Sequence, residues 1–187
     1  MLKWLPFRVM LGKPIWIALL LSVWLGAVMQ AAAQDMMKDL DLSSPDMTEA
    51  EMTVEQVIEQ LEAATADQPA DFTGKRLNGL NLEGLDFSGA ILRAARLNNA
   101  NLKGADLEGA ILDQAWMLNV DLSDANLRGA KLFQAQLVGS MLDGADFSGA
   151  RVASDLSKAS IKGASFVGAS LGADMKNQSM GLMRGVL

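Results

Sequence analysis

Ala100-Asn101-Leu102-Lys103-Gly104 is followed directly by Ala105-Asp106-Leu107-Glu108-Gly109, and the same five-residue phrase runs on in both directions. With the large apolar residue taken as the centre, centres fall every five residues from Phe72 to Val152. After one four-residue step they resume at Leu156, Ile161, Phe166 and Leu171. Each of these 21 centres is Leu, Phe, Ile, Val or Met. Two places before the centre, Ala fills fifteen of the 21 positions, and two places after it Gly fills twelve. A repeat this regular decides the architecture ahead of local propensity.

An α-helix turns about 100° per residue, so a step of five would carry the Leu column round the helix and leave no face to bury. Gly in every repeat would add about 1 kcal/mol against a helix each time. In Ala-x-Leu-x-Gly, by contrast, three residues alternate in, out, in as strand side chains do, and the remaining pair turns a corner where Gly accepts positive φ. Short strands with regular corners close into a solenoid, each coil pairing its backbone with the coils above and below at ~4.8 Å.

These residues resemble the pentapeptide-repeat family, whose pattern is A(D/N)LXX, over 21 consecutive repeats spanning residues 70–172. The resemblance implies an all-β fold, a right-handed quadrilateral parallel β-helix with four repeats per coil and about five coils here. On that geometry residues 20 apart stack, and Phe87, Leu107, Leu127 and Phe147 form one internal column. Burying each such side chain contributes roughly 1.5–3 kcal/mol before entropy is subtracted. Lys75, Leu80, Leu85, Val120, Ser140 and Ser154 depart from the small inward residue, and Lys75 predicts an irregular or covered first coil. The four-residue step between Val152 and Leu156 predicts a kink or a missing corner residue.

Upstream of the repeats, Lys3, Arg8 and Lys13 precede an apolar run from Ile15 to Met29 and then Ala31-Ala32-Ala33. Basic, apolar and small residues in that order make residues 1–33 a secretory signal with cleavage expected after Ala33. The alternative is an uncleaved anchor helix, the one case in which the chain would meet a membrane. The expected location is extracytoplasmic: a bacterial periplasm or a lumenal compartment. Residues 34–52 read as an acidic linker; from Gln34 to Asp71, eleven Asp or Glu against Lys38 alone give −10. Thr53-Val54-Glu55-Gln56 has capping-box spacing, and Val54, Val57, Ile58 and Leu61 share one helical face. Residues 53–69 are therefore expected to form a short helix, over about Val54 to Ala64, that covers the first coil. Leu182 and Leu187, again five apart, lie in a C-terminal tail, 173–187, without an evident polar cap. Solenoids need capped ends, so open coils would leave a place for a partner or for end-to-end pairing of chains.

The sequence has no His and no Cys or Tyr, which removes the commonest general base, the thiol nucleophile and the usual transition-metal ligands. Ser157-Lys158 stands without an orienting base, as ordinary turn residues do. No catalytic residue, cofactor site or metal site is expected. The outward column Asp86, Asp106, Asn126, Asp146 is the best place for a hard cation, and also only the family's usual residues at that position. Another column reads Ile91, Ile111, Lys131, Arg151, and the next places Trp116 between Arg96 and Gln136. With Leu118, Phe133 and Val138 on nearby turns, these make Ile91, Ile111, Trp116, Leu118, Phe133 and Val138 the candidate interaction patch, read as exposed and rimmed by basic groups.

The best-known activity in the resembled family is DNA mimicry at a topoisomerase, which needs a dense negative field along the coils. Residues 72–187 carry twelve Lys or Arg against eleven Asp or Glu, so mimicry is the lesser alternative. Near-neutral coils likewise offer nucleic acid no basic track. The expectation is a non-catalytic exported scaffold that binds a protein whose identity the residues do not reveal.

Overall fold

In the computed structural model of the chain, residues 41–172 are described; the expected signal at 1–33, residues 34–40 of the acidic stretch and the tail at 173–187 lie outside them. Among the described residues no helix is long and apolar enough to cross a membrane.

The five-residue period folds as a coil of twenty. Parallel bridges join residues 20 apart, from Asp71↔Ile91 through Lys131↔Arg151. Leu107 N–H donates to the Asn126 carbonyl at 2.7 Å, and Asn126 N–H returns the bond to the Ala105 carbonyl at 3.0 Å. Each corner closes on itself, as where Ala110 N–H donates to Leu107 O at 3.0 Å. Four columns of bridges define four faces. Face 1 carries 71, 91, 111, 131 and 151; face 2 carries 76, 96, 116 and 136; face 3 carries 81, 101, 121 and 141; face 4 carries 86, 106, 126 and 146.

Centres and small residues both point inward. Phe87, Leu107, Leu127 and Phe147 stack as one buried column, and the Ala residues before the centres fill the space between columns. Polar substitutes at the small position are satisfied locally: the buried Ser140 hydroxyl donates to Met117 O at 2.7 Å, and the Ser154 hydroxyl donates to Leu132 O. The four-residue step removes one residue from a corner and leaves the ladder intact. Beyond it the partners are 19 apart, beginning with Gln136↔Asp155.

Two helices precede the coils, α1 at Pro45–Thr48 and α2 at Val54–Glu62. Thr53 caps α2 through its side chain to Gln56 N–H, while the Gln56 side chain accepts from Thr53 N–H at 2.9 Å. The apolar stripe of α2 rests on the first coil: Val57 is fully buried in the core, and Leu61, Leu80 and Leu85 pack against that core.

Two expectations are corrected at this end. Residues 45–52 are not linker; Met47 is buried, and Asp46 and Glu51 both pair with Arg76, at 2.6 and 3.3 Å. An apolar Met flanked by carboxylates docks on an edge that offers both an apolar rim and a guanidinium. Lys75 does not occupy the small inward position; it turns out to Glu51 at 3.2 Å, because an ammonium inside the coil would have no partner. At the other end, the last described coil leaves Ile161 and Leu171 exposed, and Val167 is 75% exposed.

Candidate interaction face

On faces 3 and 4 the outward Asp and Asn side chains are clamps for the following corner. Asp86 accepts Ser88 N–H at 2.8 Å, Asp106 accepts Glu108 N–H at 2.9 Å, and Asp146 accepts Ser148 N–H at 2.8 Å. Asn101, Asp121 and Asn126 do the same for Lys103, Ser123 and Arg128. Each satisfies an N–H that the turn would otherwise leave to water. The hydroxyl and then the N–H of Ser88 hold the Asp86 carboxyl below the usual carboxylate range. Ser148 does likewise for Asp146, with Arg128 adding to it. The carboxylates of face 4 are thus occupied by the fold: Asn126 Nδ2 donates to Asp106 Oδ1 at 3.0 Å, and Arg128 pairs with Asp146 at 3.1 Å. Among the described residues no group of three or more acidic side chains is arranged to hold a metal ion.

Faces 1 and 2 abandon this device. In the second to fourth coils their outward positions are Ile91, Arg96, Ile111, Trp116, Lys131 and Gln136, none of which clamps a corner as Asp or Asn does; the clamp returns on face 2 at Asp155, which accepts Ser157 N–H at 2.9 Å. Ile91 and Ile111 bridge on face 1, and Trp116 bridges to Arg96 and Gln136 on face 2. Phe133 stands at the border of faces 1 and 2, its N–H donating to Asp113 Oδ1 at 3.0 Å. Leu118 and Val138 stand at the border of faces 2 and 3. The fold therefore places all six candidate patch residues on face 2, its two borders and the adjoining face 1. None is fully exposed, which differs from the reading of an exposed patch; all six are half-buried. At coil spacing the residues stacked above and below cover part of each side chain and leave the rest to solvent.

The border of faces 2 and 3 holds residues that the sequence reading passed over. Asn78 and Asn98 are buried, one coil apart in the column that continues as Leu118 and Val138. Asn78 Oδ1 accepts Asn98 N–H at 3.0 Å, and Asn98 Oδ1 accepts Leu118 N–H at 3.0 Å. Their amide nitrogens reach the N-terminal segment: Asn78 donates to the carbonyls of Asp46 and Glu49, and Asn98 to that of Met47. Asn at the same corner place in two successive coils was the available signal.

A family model described as pentapeptide repeats, in eight copies, matches residues 76–114 and 121–154, the stretch in which the coils just described are most regular. The chain belongs to the pentapeptide-repeat family. The solenoid is accordingly the right-handed β-helix of pentapeptide-repeat proteins. Among solved structures, the chain is similar to the pentapeptide-repeat protein alr5209 of Nostoc PCC 7120, at 30% identity over 63% of this chain and 94% of that one, with a TM-score of 0.41. HetL, a pentapeptide-repeat protein involved in heterocyst differentiation regulation in Nostoc sp. strain PCC 7120, is 29% identical over 58% of this chain and 49% of its own, with a TM-score of 0.35. A trypsin-treated variant of QnrB1, a plasmid-mediated fluoroquinolone resistance protein, is 24% identical over 52% and 60% respectively, with a TM-score of 0.46. The chain thus spans about half of HetL and less than two thirds of that QnrB1 chain. Comparison with curated proteins gives no match.

Proposed function

We propose that this pentapeptide-repeat protein is an exported, non-catalytic scaffold that binds a protein partner along face 2 and its borders. The observation that carries this reading is the loss of the corner clamp. Asp or Asn at the outward position stabilises the fold on faces 3 and 4, whereas in the second to fourth coils faces 1 and 2 hold Ile91, Arg96, Ile111, Trp116, Lys131 and Gln136 in its place, between the clamps of Asp71 and Asp155. Half-buried apolar side chains with Trp and Arg among them are the usual anchors of protein interfaces. Export rests on the order of basic, apolar and small residues in 1–33. A DNA-mimicking role is the lesser reading, since residues 72–187 as a whole are near neutral and their carboxylates are gathered chiefly on faces 3 and 4 and the corner between them.

The test is affinity capture of the tagged full-length protein from its source cells, beside an Ile111→Ser/Trp116→Ser double variant. Each captured protein is identified by mass spectrometry and its binding remeasured with purified components. The proposal expects a defined partner that the parent binds and the variant loses while keeping its unfolding temperature within a few degrees. Equal binding by parent and variant overturns it.

A further inference from the structure

The left-handed corner positions carry a second pattern around face 2. Beside the glycines, seven residues with side chains hold positive φ, and six of them stand on the two corners that bound this face. Ala94, Gln114 and Gln134 lie on one corner, with φ of 52°, 61° and 57°; Asn99, Asn119 and Lys158 lie on the other. The corner between faces 4 and 1, in contrast, is glycine in every coil, at 89, 109, 129, 149 and 168. Positive φ strains a residue that has a Cβ and leaves glycine unstrained, Asn tolerating it best. Strain kept on one face of a repeating structure points to a use for the side chains it presents. Here those side chains are chiefly amides, and they hold one another only weakly. Gln114 Nε2 is 3.4 Å from Gln134 Oε1, and Asn119 Nδ2 is 3.5 Å from Asn99 Oδ1. Each pair keeps donors and acceptors for another molecule.

Charge is segregated round the same coils. Face 2 and its border with face 1 present Arg93, Arg96 and Lys131 nearby, against Asp113, which sits 4.0 Å from Arg93, and Asp155 at the far end of the face. Faces 3 and 4 and the corner between them carry Glu83, Asp86, Asp106, Asp121, Asp124, Asp143 and Asp146 against Lys103 and Lys162. The near-zero net charge of the repeats therefore hides a basic, apolar side and an acidic one.

Resting on the reading proposed above, the geometry points to an acidic protein segment bearing apolar side chains as the partner of face 2. Its carboxylates meet Arg96 and Lys131, its peptide groups meet the amide borders, and its apolar side chains meet Ile111, Trp116 and Phe133. Four of the six patch residues, Ile91, Ile111, Leu118 and Val138, are branched aliphatics, which favours a peptide bearing apolar side chains over a glycan that would stack on Trp116 or Phe133 alone.

The experiment places p-benzoylphenylalanine at Phe133, an exchange that keeps the aromatic ring and adds the cross-linking benzoyl group, in the full-length protein in its source cells, with Glu108 on the far corner exchanged as a control. The segment cross-linked at 133 is sequenced, synthesised and titrated against the full chain. The inference expects a net-negative protein segment cross-linked at 133 and not at 108, with affinity falling at least ten-fold in Arg96→Glu/Lys131→Glu and weakening with added salt. It further expects Gln134→Gly to raise the unfolding temperature while weakening the peptide several-fold, a pairing that a purely structural role would not give. A neutral or basic segment, or affinity indifferent to the charge reversal, overturns this inference and leaves the interaction face standing. A glycan at 133, or no cross-link, overturns both.

Discussion

The side-chain amide of Asn98 donates a 3.1 Å hydrogen bond to the carbonyl oxygen of Met47, joining the second coil to a segment 51 residues earlier in the chain. The same side chain accepts Leu118 N–H on its other side, so one buried residue fastens the N-terminal cap and a corner of the next coil together.

Asn98→Ala takes the partner from the buried Met47 carbonyl and from the half-buried Leu118 N–H. The expected loss is about 1–3 kcal/mol in urea unfolding. Amide hydrogen exchange over residues 45–62 is expected to quicken more than exchange over 120–150, because the cap is what the side chain holds. Equal change in both regions would mean that Asn98 serves the coil alone.

Leu107→Ala removes most of a fully buried side chain from the internal column between Phe87 and Leu127. Stacked coils relax little round such a gap, so the loss is expected at about 2–5 kcal/mol by denaturant unfolding. Val57→Ala, in the cap, is expected to cost less because α2 can settle toward the coil.

Glycine corners are not equivalent. A Cβ added at Gly109 meets open space, so Gly109→Ala carries only the strain of positive φ, about 1–2 kcal/mol. A Cβ at Gly139 would lie 2.5 Å from Asn119 Oδ1, so Gly139→Ala is expected to lower the unfolding temperature further. Calorimetry on the two variants, with Asn119→Gly added to Gly139→Ala to restore the space, checks the assignment.

Acid stability follows from the corner clamps. Asp71, Asp86 and Asp146 are held below their ordinary value of 3.8, each first by the hydroxyl of the Thr or Ser two residues on and then by that residue's N–H. A carboxylate whose folded-state value is lowered adds stability at pH above its unfolded value, and that contribution disappears as pH falls through the folded value. The unfolding temperature is therefore expected to be level from pH 7 down to about 5 and to decline below 3.8. Asp86→Asn keeps the acceptor oxygen, so it is expected to be nearly neutral at pH 7 and to flatten the acid decline.

Export is checked by the intact mass and N-terminal residue of the protein from fractionated source cells. A soluble extracytoplasmic species beginning at Gln34 is expected. A full-length cytoplasmic species would remove export from the proposed function, and a membrane-held one would make the scaffold an anchored one.

The sequence alone determined the period of five, which residues point inward and where the chain drops a corner residue, because covalent spacing along a short strand and a tight turn fixes all three. Thr53 and Gln56 likewise announced a helix start, since a capping box is local. Tertiary structure alone decided what lies beside what. It showed that Met47 and Asp46 belong to the cap, that Lys75 faces Glu51, and that stacking half-buries Trp116 and Phe133. It also showed that the carboxylate ladder of face 4 serves backbone N–H groups, and that the amides at positive φ stand on the two corners that bound face 2. These depend on contacts between residues twenty or fifty apart, whose geometry follows from coil stacking and not from the spacing within any one repeat.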